Sequence, residues 1–200
     1  MIVIIDYNIG NVGSIKNMIT QLGFACDISR NFDVINNATK LILPGVGSFD
    51  NGVKGLINCN LVDILNHKVL VNQTPVLGIC LGMQLMAECS EEGNAKGLGW
   101  IPINVKRIDT VVNQQNTIPV IGWNYIQIVK NNKLFQDNYQ RFYFVHSYYF
   151  PRETPGVIAT ANIGFDFCAA FQINNIFGVQ FHPEKSHKFG KALLTNFCNL

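Results

Sequence analysis

A chain of 200 residues that is 48% hydrophobic and only 14% charged carries enough apolar material for one complete core and needs no cross-links to hold it. A net charge of +2 with no run of Lys or Arg excludes a basic face for nucleic acid, so the expected ligand is small. Cys26, Cys59, Cys80, Cys89, Cys168 and Cys198 show no C-x-x-C or framework spacing, which argues against zinc or a disulfide scaffold and for a reducing cytoplasm. The start, Met1-Ile2-Val3-Ile4-Ile5-Asp6, lacks a basic leader pattern, and no apolar run reaches membrane-spanning length. A cytoplasmic chain is expected, with no membrane or nucleic-acid partner.

In chain order, residues 2–5 read as a buried strand, followed by a Gly/Asn turn and a helix over 12–22 that ends at Gly23. Residues 25–29 suit a strand, as do residues 40–43, which run into the glycine loop Pro44-Gly45-Val46-Gly47-Ser48. Helices are predicted over 49–58 and 61–71, then a strand over 75–79 that stops at Cys80, then a helix over 81–89. Strands alternating with helices imply an α/β fold with a mostly parallel central sheet. After Gly93 the texture becomes β-rich, with strands expected over 100–108, 125–129, 141–150, 157–161, 167–173 and 176–180. Residues 113–116 read as a polar loop, and Asn174-Asn175 as a hairpin turn. The last helix, 189–197, offers Phe189, Leu193 and Phe197 as a core stripe. One domain over 1–200 is expected: a parallel sheet flanked by helices, with an additional antiparallel part.

The chemistry concentrates at Gly78-Ile79-Cys80-Leu81-Gly82, a thiol form of the nucleophile elbow, in which glycines flank a nucleophile on a sharp strand-to-helix turn. The amides and dipole at the following helix start favour thiolate, and Leu81 N–H faces a developing oxyanion. A cysteine nucleophile needs a base, and the base an orienter. Gln180-Phe181-His182-Pro183-Glu184 supplies both, because in extended chain Glu184 shares a face with His182. Amides of the glycine loop near Val46 and Gly47 complete an oxyanion hole with Leu81. Gln84, one turn beyond Cys80, faces the same pocket and suits a polar substrate. No metal or cofactor is required by this set.

Pro44-Gly45-Val46-Gly47, Gly78-Ile79-Cys80-Leu81-Gly82-Met83-Gln84 and Phe181-His182-Pro183-Glu184 resemble, in order and spacing, the signature blocks of class I triad glutamine amidotransferases. Within that class, four further blocks resemble the glutaminase subunit of imidazole glycerol phosphate synthase. They are Asp6-Tyr7-Asn8-Ile9-Gly10-Asn11, Gly122-Trp123-Asn124, Tyr143-Phe144-Val145-His146-Ser147-Tyr148 and Glu184-Lys185-Ser186. The resemblance covers nearly the whole chain. It implies L-glutamine as substrate, Cys80, His182 and Glu184 as a catalytic triad, and Gly47, Gln84, Ser147 and Tyr148 as contacts to the amino-acid end of glutamine. It also implies a heterodimer with a (β/α)-barrel cyclase that uses the ammonia to make imidazole glycerol phosphate and an aminoimidazole carboxamide ribotide in histidine synthesis. Asn11, Trp123, Tyr143 and Lys185 match positions at that subunit contact and ammonia passage.

Without the resemblance, Trp123 and Tyr143 read as ordinary aromatic packing and Lys185 as a solvated charge. His67, on a polar helix face, and His187, in a surface turn, suggest no role. One position departs from the family pattern: Val120 stands where a histidine commonly precedes the hydrophobic-Gly-Trp-Asn run. That departure leaves open a paralogous glutaminase feeding an amidino-sugar amidotransferase for surface polysaccharides. Two readings of other classes are an intracellular cysteine peptidase, which would favour a histidine where Leu81 stands, and a non-catalytic binding module, which would not need the intact triad.

Overall fold

The computed structural model describes residues 1–108, 118–136 and 140–200; the polar loop expected at 113–116 lies outside the described residues. Its first half alternates strand and helix: β1 (Ile2–Ile5), α1 (Val12–Gln21), β2 (Cys26–Ser29), α2 (Phe32–Asn36), β3 (Lys40–Leu43), α3 (Phe49–Asn58) and α4 (Val62–Asn66). A π-helical turn, His67–Val71, then leads to β4 (Val76–Ile79) and α5 (Leu81–Gln84). The second half holds β5 (Cys89–Ser90), β6 (Asn104–Arg107), β7 (Val120–Ile128), β8 (Gln140–His146), β9 (Tyr148–Pro151), β10 (Val157–Asn162), β11 (Asp166–Ile173) and β12 (Ile176–Val179). A 3₁₀ turn, Pro183–Lys185, and α6 (His187–Cys198) close the chain.

The strand order is β2-β1-β3-β4-β12-β11-β10-β7-β8. The first five strands are parallel, and every pairing from β12 to β8 is antiparallel. The expected antiparallel part is therefore a continuation of the same sheet, joined at β12. That strand leaves the Asn174-Asn175 turn, where Asn174 adopts φ 51°, and pairs antiparallel with β11 on one side and parallel with β4 on the other. Alternation along β1 divides the core, with Ile2 and Ile4 packing on one face and Val3 and Ile5 on the other.

The strand expected over 100–108 is confined to Asn104–Arg107, the one expected over 125–129 begins at Val120, and the helix expected over 61–71 turns π-helical at His67; two further expectations fail for a visible reason. The helix after Cys80 is one turn long and ends at Gln84, where 81–89 had been expected, and Cys89 belongs to β5. The groups that would have continued the helix are taken by residues 97–103: Leu98 N–H donates to Leu85 O, the carbonyl a helical Cys89 would have used, Glu88 N–H donates to Ile103 O, and Ile101, Gly99 and Gly97 N–H donate to Met86, Ala87 and Glu88 O. Helical spacing at Leu81, Leu85 and Met86 reflects burial, but tertiary hydrogen bonds decide the backbone. The strand expected over 141–150 is broken at Ser147, whose carbonyl accepts from Ile108 N–H, so β8 and β9 pair with different partners.

Candidate active site

Three neighbouring parallel strands bring the functional loops to one edge. Leu43 on β3 lies beside Gly78 on β4, and Ile79 on β4 beside Val179 on β12. The glycine loop, Cys80 and His182 therefore all emerge at the carboxyl ends of adjacent strands, the usual ligand edge of such a sheet.

Cys80 sits at φ 53° and ψ −112°, a conformation that costs an L-residue on the order of 1–3 kcal/mol and persists only where its surroundings impose it. Its amide donates to Val179 O at 2.8 Å. The flanking glycines are sterically required. A Cβ at Gly82 would lie 1.8 Å from Leu43 O, one at Gly78 2.7 Å from Met83 Cα, and one at Gly45 2.5 Å from the Gly82 nitrogen. Elbow and glycine loop are thus pressed backbone to backbone. The buried Tyr7 hydroxyl, donating to Pro44 O, ties the loop to the segment after β1, and burial holds its phenol protonated far into the alkaline range.

His182 is 3% exposed, and its Nδ1 lies 2.8 Å from Glu184 Oε1. The link is not extended, as had been expected. Glu184 lies in the 3₁₀ turn, which Pro183 opens, and the turn curls its carboxylate back under the ring. Since a carboxylate only accepts, Nδ1 carries the proton; the ring is also hydrogen-bonded to the Cys80 sulfur. Burial lowers the ring's basicity, but the hydrogen bonds to sulfur and carboxylate outweigh it and push the pKa up to about 10. The backbone is clamped as well: His182 N–H donates to Tyr143 O at 2.9 Å, and Ser186 Oγ donates to His182 O at 2.6 Å.

Cys80 and His182 open into a cavity of about 370 Å³ that Val46, Gly47, Leu81, Gln84, Ser147 and Tyr148 also line, so the structure gathers every catalytic, oxyanion and substrate residue the sequence suggested except the buried orienter Glu184, which stands behind His182. The Tyr148 carbonyl is already engaged, accepting from Gln84 Nε2 at 3.1 Å and from His146 Nδ1 at 2.9 Å. Among the described residues, no cluster of three or more His, Cys, Asp or Glu could hold a metal ion.

Four cavity or rim residues escaped the sequence reading. Glu92 lines the cavity and accepts from Phe49 N–H at 2.8 Å, across the start of α3; burial raises its pKa. No local pattern around Glu92 announces this placement. His146 is 5% exposed, and burial drives its pKa down to about 4, so a neutral ring with a proton on Nδ1 presents a bare Nε2. Gln180 is wholly buried beside Cys80, and its position as a polar end to an apolar strand was the available signal. His187, dismissed from sequence, stacks on Trp123 at 5.6 Å and 8°.

Trp123 is 41% exposed on β7, packs edge-on against Tyr143 at 6.1 Å, and lies under the Arg141 guanidinium at 5.3 Å; Lys185 Nζ is 5.9 Å from the Tyr143 ring. Trp123, Tyr143 and Arg141 form a rim that joins the cavity at Lys185, which lines it. Asn11 is exposed at the start of α1, which packs against the 3₁₀ turn bearing Lys185.

Residues 3–199 match the family model of class-I glutamine amidotransferases. The chain belongs to that family. Two full-length relatives agree: imidazole glycerol phosphate synthase subunit HisH 2 of Methanococcus maripaludis is 52% identical over 98% of each chain, and subunit HisH of Leptospira interrogans is 44% identical over 100% of each. Among solved structures, one described as a glutamine amidotransferase superposes with a TM-score of 0.75 at 19% identity, over 98% of this chain and 97% of the other. The glutaminase domain of Trypanosoma brucei CTPS gives 0.63 at 15% identity over 99% and 93%. At those identities the likeness is one of fold. As a class-I glutamine amidotransferase, the chain is an enzyme.

Proposed function

We propose that this chain is the glutaminase subunit of an imidazole glycerol phosphate synthase, with Cys80, His182 and Glu184 as its catalytic triad. The observation that carries the chemistry is the buried His182–Glu184 pair, 2.8 Å apart, with the ring hydrogen-bonded to a cysteine on a strained elbow. The full-length likeness to subunits bearing the HisH name carries the pathway.

In this reading the Cys80 thiolate attacks the side-chain amide carbon of L-glutamine while protonated His182 stands ready to donate to the leaving nitrogen. The C–N bond breaks, ammonia departs with the proton from His182, and a γ-glutamyl thioester remains. His182, now neutral, takes a proton from water; hydroxide adds to the thioester, the C–S bond breaks, and glutamate leaves. Glu184 stabilises the imidazolium in both halves, and amides near Val46, Gly47 and Leu81 receive the oxyanion. The α-ammonium of glutamine falls to Glu92, the acidic residue among the cavity's lining side chains, and Gln84, Gly47, Ser147 and Tyr148 position its amino-acid end.

The partner is a (β/α)-barrel cyclase that consumes the ammonia, forming a heterodimer in the cytoplasm through a surface that includes Asn11, Trp123, Tyr143 and Lys185. The amidino-sugar paralogue is favoured by Val120 alone, which lies opposite His146 in the β7–β8 pairing. A glutamine-like electrophile, 6-diazo-5-oxo-norleucine, tests the site: it should modify Cys80 and none of the other five cysteines. Modification at Cys89 or Cys168 in place of Cys80 would refute the assignment. Co-purification from native extract tests the pathway: a barrel cyclase supports histidine synthesis, and an amidino-sugar enzyme contradicts it.

A further inference from the structure

Gln180 is 0% exposed, yet no step above uses it. Register places it there, because β4 and β12 pair Ile79 with Val179, so the next residues, Cys80 and Gln180, leave the sheet side by side. Its side chain joins two functional groups: Nε2 lies 3.8 Å from Cys80 Sγ, and Oε1 accepts from Gln84 Nε2 at 2.9 Å. The direction of that amide row is fixed from its far end. The Tyr148 carbonyl can only accept, so Gln84 must turn its NH₂ toward it; the second Gln84 N–H then meets Gln180 oxygen, which leaves the Gln180 NH₂ facing sulfur.

We infer that Gln180 is a positioning residue for glutamine hydrolysis: its amide donates to the Cys80 thiolate while anchoring Gln84, which ties the nucleophile to the substrate-binding side chain. The inference rests on Cys80 being the nucleophile. It answers a need that the short α5 creates, since one helical turn offers the sulfur little macrodipole. As a thiol, Cys80 donates to Val145 O at 3.7 Å, a contact that turns repulsive once the proton leaves. Donors must then hold the thiolate, and His182 and Gln180 are in place to do so. The other titratable groups facing this centre are Tyr7, His146, Glu184 and, across the cavity, Glu92 and Lys185.

The test is the pH profile of Cys80 alkylation by iodoacetamide, read by mass spectrometry in Gln180→Met, Gln84→Met and the double variant, with thermal unfolding as the check on folding. Gln180→Met keeps the volume and removes the donor. Its alkylation midpoint should rise by about one to two pH units, as expected for the loss of one hydrogen bond to a charged group. Gln84→Met does not touch the sulfur but frees the Gln180 amide to turn, so its midpoint should rise by less. The double variant should move no further than Gln180→Met, a non-additivity that a merely structural role would not produce. Superimposed profiles in folded Gln180→Met and wild type would overturn the inference, as would additive shifts. Should Gln180→Met not fold, Gln84→Met alone decides: an upward shift supports the relay and an unmoved profile refutes it. Failure of diazo-oxo-norleucine to label wild-type Cys80 would remove the triad reading itself, and the two failures are thereby told apart.

Discussion

At the scale of single residues, the proposed triad sets the His182 imidazole between two acceptors of different kind, the Cys80 sulfur, with which it would exchange a proton, and the Glu184 carboxylate, with which it would not. Replacing His182 by alanine removes the proton carrier, and glutamine hydrolysis should fall by roughly 100- to 10,000-fold. Glu184→Gln keeps an acceptor for Nδ1–H and loses only the charge, so the fall in kcat should be smaller; an equal or larger loss would give the carboxylate a direct chemical role. His146 yields a pH prediction of definite sign. Its folded pKa of about 4 lies below the unfolded value near 6.5, so the stability it contributes is present above 6.5 and lost as pH falls toward 4. Between pH 7.5 and 5, urea unfolding should show wild type losing about 2 kcal/mol more than His146→Phe. His182, with a raised pKa, contributes in the opposite sense, but equally in both proteins. Parallel losses would contradict a neutral buried His146. The grouping of Cys80, His182 and Glu184 was legible because the sequence carries it in short local patterns. The placement of Gln180 and Glu92 was not, because register and a crossing loop bring them to the site.

At the scale of elements, the site depends on contacts that glycine alone permits. α6 begins directly behind the triad, and a Cβ at Gly190 would lie 1.8 Å from Pro183 O. Gly190→Ala should therefore push the 3₁₀ turn, displacing His182 and Glu184 while leaving Gln84 and the glycine loop in place. The expected result is a loss in kcat on the order of 10- to 100-fold with little change in KM, the cost of shifting catalytic groups by about an ångström. Unaltered kcat in a folded variant would show that the turn absorbs the strain elsewhere. Most strands and the helices α1, α3 and α6 were readable, α1 with Gly23 marking its end and α6 from the stripe Phe189, Leu193 and Phe197. The helix after Cys80 was misread in length because its apolar spacing was real, while the N–H groups that take up the carbonyls of residues 85–88 belong to residues 97–101, outside the helical pattern.

At the scale of the whole molecule, the five-strand parallel half supplies the catalytic edge, and the antiparallel extension carries the aromatic rim of Trp123 and Tyr143 beside it. The parallel half was legible from strand-helix alternation; that the two halves share one sheet was not, because β12 pairs with β4 at a separation of 100 residues. If the rim is the partner surface, an alanine at Lys185 should weaken the response of glutaminase rate to the cyclase while leaving Cys80 labelling intact. Coupling of this kind is typically about 1–3 kcal/mol, so the cyclase with its nucleotide substrate should raise the rate at least about fivefold. An unchanged response in Lys185→Ala would remove that residue from the coupling. The central claim, that Cys80 hydrolyses glutamine, is tested most directly by glutamate release from glutamine by wild type and Cys80→Ser, each with the cyclase and its substrate present. Wild type should release glutamate and the folded Cys80→Ser variant should release none above the partner alone; equal release by both would contradict the account.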